Sequence, residues 1–126
     1  TLDVIEEEGL LERARSIGAT ARSRFAALQA KHSAIGDVRG VGAMIALEFV
    51  KPDGHSPDAA TVDAVVRLAR DAGLILLSTG TFGNVIRLLP PLTLTDSELD
   101  EGLSIIESSV TAALALTRPA DDLVPA

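Results

Sequence analysis

Apolar residues recur at helical spacing near both ends of the 126-residue chain. Toward the C-terminus, Thr95 and Glu98 have the spacing of a capping box, which predicts that a helix begins there. The apolar stripe of this helix comprises Leu99, Leu103, Ile106, Val110 and Leu114. A second stripe, made of Leu11, Ala14, Ile17, Ala21, Phe25 and Leu28, predicts a helix from Leu2 to about His32. Two long helices therefore bracket the chain, and a kink is allowed where glycine interrupts the first one.

The segment after the first helix has the alternation of a strand. The residues from Ile35 to Val50 are predicted to form one extended strand, because apolar residues recur at every second position from Val41 to Phe49. The face predicted to point inward comprises Val41, Ala43, Ile45, Leu47 and Phe49. Ser56 followed by Pro57 then predicts the N-terminus of a helix. That helix is expected to end at Gly73, since glycine is the usual residue just beyond a helix C-terminus.

Two further strands are predicted over Leu74–Leu77 and Val85–Leu89. The polar segment Ser78–Asn84 lies between them and favours a hairpin. The predicted order is α-β-α-β-β-α. This order indicates an α+β fold, with a small, mostly antiparallel sheet and helices packed on one face. The domain is predicted to comprise residues 1–118, and residues 119–126 are predicted to be a flexible tail.

The composition excludes several classes of function. The formal net charge of −7 argues against a nucleic-acid partner, which requires clustered Lys and Arg. There is no cysteine for a disulfide or a thiolate metal site. No apolar run reaches the ~20 residues that span a bilayer, so no membrane partner is predicted and a cytoplasmic location is expected. The chain begins at Thr1 within a predicted helix, which suggests either a piece of a longer protein or a trimmed N-terminus.

Arg87 is the most unusual charged residue, because it lies in an aliphatic strand and is followed by Pro90 and Pro91. A guanidinium in such a setting is costly to desolvate unless an anion meets it. Its planar fork of donors suits a carboxylate. The sequence therefore allows two interpretations. Arg87 is either a clamp for a substrate carboxylate or a structural residue, paired with Glu48 or reaching solvent at a rim.

Other candidates for chemistry are weaker. Lys31 and Lys51 are the only lysines, and both are expected to be solvated, whereas a lysine that forms a Schiff base needs a shaped, partly desolvated site. His32 and His55 are far apart and no cysteine supports them, so no metal site is predicted. The loop over Ser78–Asn84 lacks the spacing of a phosphate-binding loop, and Arg39 is expected to pair locally with Asp37.

Three stretches together resemble the class III aminotransferases. They are Asp37–Glu48 with its Arg-Gly-Val-Gly-Ala-Met run, Asp71–Ser78, and Gly80–Thr93. The most specific part is Gly-Asn-Val-Ile-Arg-Leu-Leu-Pro-Pro-Leu, which ends at Leu92 and is most similar to 4-aminobutyrate aminotransferases. Ornithine and acetylornithine aminotransferases have similar segments. The resemblance covers almost the whole chain, in the same order.

The resemblance implies the C-terminal small domain of a homodimeric fold-type I enzyme, whose large domain binds pyridoxal phosphate. It implies that Arg87 binds the carboxylate of glutamate or 2-oxoglutarate, a small dicarboxylate. It also implies transfer of the amino group of 4-aminobutyrate to 2-oxoglutarate, giving succinate semialdehyde and glutamate. No catalytic or cofactor-binding residue of the family has a counterpart here, so this chain alone is expected to bind no cofactor and to be inactive.

Two alternatives remain open from the sequence. One is a stand-alone α+β module that binds amino acids or regulates another protein without catalysis. The other is a purely structural dimerisation domain.

Overall fold

The computed structural model describes residues 9–118, so the predicted tail at 119–126 and the first part of the predicted N-terminal helix lie outside the described residues. In chain order, the elements are α1 (Leu10–Lys31), β1 (Ile35–Val41), β2 (Met44–Phe49), α2 (Ala59–Asp71), β3 (Leu77–Thr79), β4 (Val85–Leu88) and α3 (Asp96–Thr117). Their order, α-β-β-α-β-β-α, has one strand more than the sequence predicted.

The four strands form one sheet in the order β1-β2-β4-β3, and every neighbouring pair is antiparallel. β1 and β3 are the edges of the sheet, and β3 is only three residues long. The pairing of β1 with β2 shifts register between Ile35 and Asp37. The α1 helix packs on β1 and β2, while α2 packs across β2, β3 and β4. The predicted fold class is therefore confirmed.

The prediction of one strand from Ile35 to Val50 was wrong, because the chain reverses direction between Val41 and Met44. Gly42 occupies the first position of the two-residue turn with a φ of +56°, where glycine is favoured. Val41 and Met44 are direct partners across this turn and so share a face. As a result, Val41 is 79% exposed instead of buried. The predicted inward positions of β2 itself are confirmed, since Ile45, Leu47 and Phe49 are each at most 2% exposed.

The two faces of the sheet are very different. The covered face, which packs against the helices, carries the aliphatic residues and Phe49 of the core. The other side, here called the open face, is not packed against any helix of the described residues. Following the pairing register, the open face carries Asp37, Arg39, Val41, Met44, Ala46, Glu48, Leu77, Thr79, Val85 and Arg87.

The three helices bring their apolar stripes together over the covered face. The capping box of α3 is confirmed, because the Thr95 side chain accepts from the Glu98 backbone N–H and the Glu98 carboxylate accepts from that of Thr95. The predicted stripe of α3 is buried throughout, and α3 packs chiefly along α2. Arg24 of α1 pairs with Asp100 at 2.6 Å and with Glu107, which ties the two long helices together.

Gly18 lets α1 approach the turn between β1 and β2. The helix is continuous through this glycine, so the break that glycine allows there does not occur. A Cβ atom at Gly18 would lie 1.9 Å from the carbonyl oxygen of Gly42, closer than any side chain allows. The glycine is thus needed for contact between helix and turn.

The ends of the remaining elements differ from prediction by a few residues. The N-cap of α2 is Asp58, not Ser56, because the Asp58 carboxylate accepts from the Thr61 N–H at 3.1 Å. Ser56 instead donates to Asp53 within the preceding loop. At the other end of α2, Gly73 has a φ of +99°, as predicted for a residue just beyond a helix. The third strand lies at Leu77–Thr79 instead of Leu74–Leu77, and the fourth ends at Leu88.

Arg118 is buried where α3 ends, which the sequence did not indicate. Its guanidinium donates to the Val50 carbonyl and to the Asp58 carboxylate at 3.3 Å, and the residue is 6% exposed. Thr61 donates to the same carboxylate at 2.6 Å and bonds Thr117 at 2.8 Å. This buried polar cluster connects the C-terminus of α3 to the residue that follows β2 and to the N-terminus of α2. A buried charge of this kind is stable only when it is paired.

Candidate functional site

Two arginines lie on the open face, in one row across the sheet. Arg39 of β1 and Arg87 of β4 are both direct partners of Ala46 in the central strand β2. Leu77 of the edge strand β3 continues the row beyond Arg87. Because directly opposed residues share a face, both guanidinium groups project from the same side, and the small side chain of Ala46 leaves space between them.

A cleft of about 440 Å³ covers this row. Its lining comprises Arg39, Gly40, Val41, Met44, Ala46, Thr79, Gly80, Val85 and Arg87. The two arginines are the only ionisable residues of this lining. The cleft is therefore a mostly apolar surface that carries two arginines, an arrangement that suits a small anion with a short carbon skeleton.

Arg39 is occupied by neighbouring carboxylates. Its Nη1 atom lies 2.9 Å from an oxygen of Asp37 and 3.8 Å from Oε1 of Glu48. The predicted local pair with Asp37 is therefore present. All three side chains are 37–50% exposed, so the individual ion pairs are weak. Together, the two carboxylates compensate the positive charge of Arg39 on the open face.

Arg87 differs from Arg39 in this respect. Within residues 9–118, no carboxylate forms an ion pair with it, and the proposed structural pair with Glu48 is not formed. The side chain is exposed on the open face instead. An arginine held in a strand without a carboxylate partner presents its whole donor fork to a ligand.

A second groove, also about 440 Å³, begins on the other side of Arg87. It is lined mainly by aliphatic side chains and prolines between β3 and the N-terminus of α3, namely Leu74, Ile75, Leu76, Leu77, Leu88, Leu89, Pro90, Pro91, Leu94, Leu99 and Leu103. Arg87 lines both cavities and stands at the boundary between them.

The two lysines of the chain lie away from the cleft, whereas the Ser78–Asn84 segment borders it. Lys31 ends α1 and Lys51 follows β2, and both side chains are exposed. Neither lines the cleft that holds Arg87. The Ser78–Asn84 segment contributes Thr79 and Gly80 to the cleft wall. Among residues 9–118, no three His, Asp or Glu side chains gather as metal ligands. In the same range, none of the helices combines the length and the apolar character that a bilayer crossing requires.

Two carboxylates with lowered pKa values also lie outside the cleft, and both shifts have structural causes. Hydrogen bonds from the Ser56 hydroxyl and from the backbone of His55 and Ser56 lower the pKa of Asp53, which organises an exposed loop. The backbone N–H of Thr95 lowers the pKa of Glu98 in the capping box. These carboxylates are turn and cap groups, so they do not mark a second site.

Comparison with known proteins shows similarity along most of the chain. The family model for class-III aminotransferases matches residues 1–110. A 5-aminovalerate aminotransferase of Pseudomonas putida is 51% identical over 106 residues, which is 84% of this chain and 25% of that protein. A 4-aminobutyrate aminotransferase of Mycobacterium bovis is also 51% identical over 106 residues, 84% of this chain and 24% of that protein. The chain thus spans about a quarter of the length of these relatives.

Solved structures show the same relationship at the level of the fold. An acetylornithine aminotransferase from Elizabethkingia anophelis superposes with a TM-score of 0.73 and 34% sequence identity. The superposition covers 88% of this chain and 27% of that chain.

Proposed function

The chain belongs to the class-III aminotransferase family, and from this premise we propose that it is the C-terminal domain of a pyridoxal-phosphate-dependent transaminase in which Arg87 binds a substrate carboxylate. The observation that carries the proposal is the contrast between the two arginines of the cleft. Arg39 is paired with two carboxylates, whereas Arg87 has no such partner within the described residues.

The surroundings of Arg87 support binding of a carboxylate over a purely structural role. The neighbouring β4 residues, Ile86 and Leu88, face the core and fix the backbone of Arg87 in the sheet. On the open face, the short side chain of Ala46 and the side chain of Val85 form the apolar floor of the cleft beside Arg87. A carboxylate that enters the cleft can accept two parallel hydrogen bonds from the guanidinium, which is the geometry that arginine favours.

For the substrates, we propose 4-aminobutyrate as amino donor and 2-oxoglutarate as acceptor, giving succinate semialdehyde and glutamate. Relatives named for 4-aminobutyrate and for 5-aminovalerate are equally similar to this chain, at 51% identity. Those two donors differ by one methylene group. In this proposal, Arg87 binds a carboxylate of the acceptor 2-oxoglutarate and of the glutamate formed from it.

The residues of this chain do not fit the binding of pyridoxal phosphate itself. Its two lysines are exposed, and neither lies in the cleft. A lysine that holds this cofactor needs a partly desolvated pocket. In the proposal, the cofactor supplies the amino-transfer chemistry from the large domain of the complete protein, and this chain supplies orientation of the substrate. That the complete enzyme is a cytoplasmic homodimer stays a prediction.

The test is steady-state kinetics of the complete enzyme carrying Arg87→Ala. Loss of a bidentate, charge-assisted contact should raise the KM for 2-oxoglutarate roughly tenfold to hundredfold. For an acceptor without a carboxylate, such as butanal, the KM of the Arg87→Ala enzyme should equal that of the parent enzyme. Arg87→Lys should recover part of the affinity, because the charge remains while the planar fork is lost.

Arg70→Ala is the matched control, since it removes an arginine whose side chain is 64% exposed on α2, outside the cleft. It should leave both KM values as in the parent enzyme. An Arg87→Ala enzyme that folds normally and keeps the parent KM for 2-oxoglutarate would remove Arg87 from the binding site.

A further inference from the structure

Glu48 lies at equal register distance from both arginines of the cleft. Its direct partners are Asp37 on β1 and Val85 on β4. Arg39 is two residues beyond Asp37, and Arg87 is two residues beyond Val85, so both are diagonal neighbours of Glu48. Diagonal neighbours in an antiparallel sheet are about 7–8 Å apart, within reach of long side chains. The carboxylate of Glu48 can thus face either guanidinium, and in the structure it faces Arg39.

We propose that Arg39 is a positioning residue, which keeps Glu48 away from Arg87 and so leaves Arg87 open to the carboxylate of the substrate. The inference rests on the proposed function, since it requires that Arg87 binds substrate. Arg39 itself does not touch the substrate in this proposal. It acts by pairing with the Glu48 carboxylate.

The ion pairs of Arg39 explain why it can hold Glu48. Asp37 fixes the guanidinium of Arg39 at 2.9 Å, and the same nitrogen then lies 3.8 Å from Glu48. In the absence of Arg39, the nearest cation on the open face of the described residues is Arg87. Glu48 would then compete with the incoming substrate, because both are carboxylates and Arg87 has one fork of donors.

Asp37 provides a control for the effect of net charge alone on substrate binding. It carries the same charge as Glu48 and also pairs with Arg39. However, it lies on β1, the edge strand, and β2 separates it from the strand of Arg87. Removal of the Asp37 charge therefore changes the net charge of the open face as much as removal of the Glu48 charge does, but it leaves the competing carboxylate in place.

The experiment measures KM and kcat for 2-oxoglutarate in the complete enzyme, with four variants. Arg39→Ala should raise KM about two- to fivefold, the range of an exposed ion pair, and leave kcat unchanged. The double variant Arg39→Ala/Glu48→Gln should return KM to the parent value. The double variant Arg39→Ala/Asp37→Asn, of identical net charge, should keep the raised KM. Arg87→Ala should raise KM beyond all of these.

The outcomes separate the two proposals. A raised KM for Arg39→Ala that only the Glu48→Gln change reverses supports the positioning role. Equal rescue by both double variants, no rescue by Glu48→Gln, or an unchanged KM in Arg39→Ala overturns it while leaving the assignment of Arg87 intact. An unchanged KM in Arg87→Ala overturns the proposed function itself. If Arg39→Ala folds poorly by circular dichroism, Arg39→Gln replaces it in the same three comparisons.

Discussion

The two faces of the sheet use the same four strands for opposite purposes. On the covered face, Leu47 and Ile86 are direct partners and are 2% and 1% exposed, within one continuous aliphatic core. On the open face, one residue along each strand, Ala46 and Arg87 are direct partners beneath a cleft. The core holds the backbone in register, and the register in turn sets the spacing of the charged groups. The open face can therefore carry costly residues because the covered face supplies the stability.

The largest difference is expected between two residues of β2 that point in opposite directions. Leu47→Ala should lower the free energy of unfolding of the 126-residue chain by about 2–5 kcal/mol, because it leaves a cavity in the core. Met44→Ala, on the open face and 40% exposed in the parent, should change it by about 0.5 kcal/mol or less. Urea denaturation of both variants measures this. Similar losses in the two variants would show that the open face is packed as tightly as the covered one.

A smaller difference, of opposite signs, is expected between two helical glycines. Gly18→Ala should destabilise the chain by about 1–3 kcal/mol, because the new methyl group meets the Gly42 carbonyl. A methyl group at Gly102 of α3 would meet no atom within 4 Å beyond its own helical turn, so Gly102→Ala should stabilise by up to about 1 kcal/mol through helix propensity. The thermal midpoint of unfolding should fall in Gly18→Ala and rise in Gly102→Ala. A neutral Gly18→Ala would mean that α1 does not contact the turn as closely as described.

The smallest expected effect is a dependence of the free energy of unfolding on pH, which comes from His32 at the end of α1. Burial lowers the pKa of His32 and the positive charge of Lys31 lowers it further. The unfolded chain, with an ordinary pKa of about 6.5, then binds more protons than the folded chain. The stability that the neutral form of His32 contributes to the folded chain is therefore fully present above a pH of about 6.5. It is lost as the pH falls through the lower, folded-state pKa.

Unfolding measurements at pH values of about 7.5 and about 5.5 should show this loss, a fraction of about 1 kcal/mol once solvent screening is considered. His32→Gln should reduce the difference between the two pH values. His55→Gln, in an exposed loop, is the matched control. An identical pH dependence in the parent and in His32→Gln would assign the effect to other groups.

Most of the covered face could be predicted from the sequence, because helical stripes and strand alternation record burial directly. The stripe of α3 and its capping box are examples, and so are the inward residues of β2. The hairpin between β1 and β2 could not be found this way. A two-residue turn reverses which residues face inward, so that Val41 and Met44 share a face although their positions differ in parity. The alternation continues through the turn and hides it, and Gly40 and Gly42 were the available signal.

The site was predicted in part, for a similar reason. Arg87 stands out in the sequence because it interrupts an aliphatic strand. Its relation to Arg39 and Glu48 depends on the register of three strands, two of which were merged into one in the prediction. The buried cluster around Arg118 and Asp58 was missed because it joins residues 60 positions apart, and no local pattern reports such a pair.

The edges of the sheet have a consequence for the behaviour of this chain in concentrated solution. An unpaired strand edge is a template on which other chains add strands and form aggregates. β3 offers only three residues to such a chain, and β1 combines an irregular register near Gly36 with the charged residues Asp37 and Arg39. The ion pairs that hold Arg39 in place thus also mark one border of the sheet with charge, which discourages the growth of intermolecular β-structure.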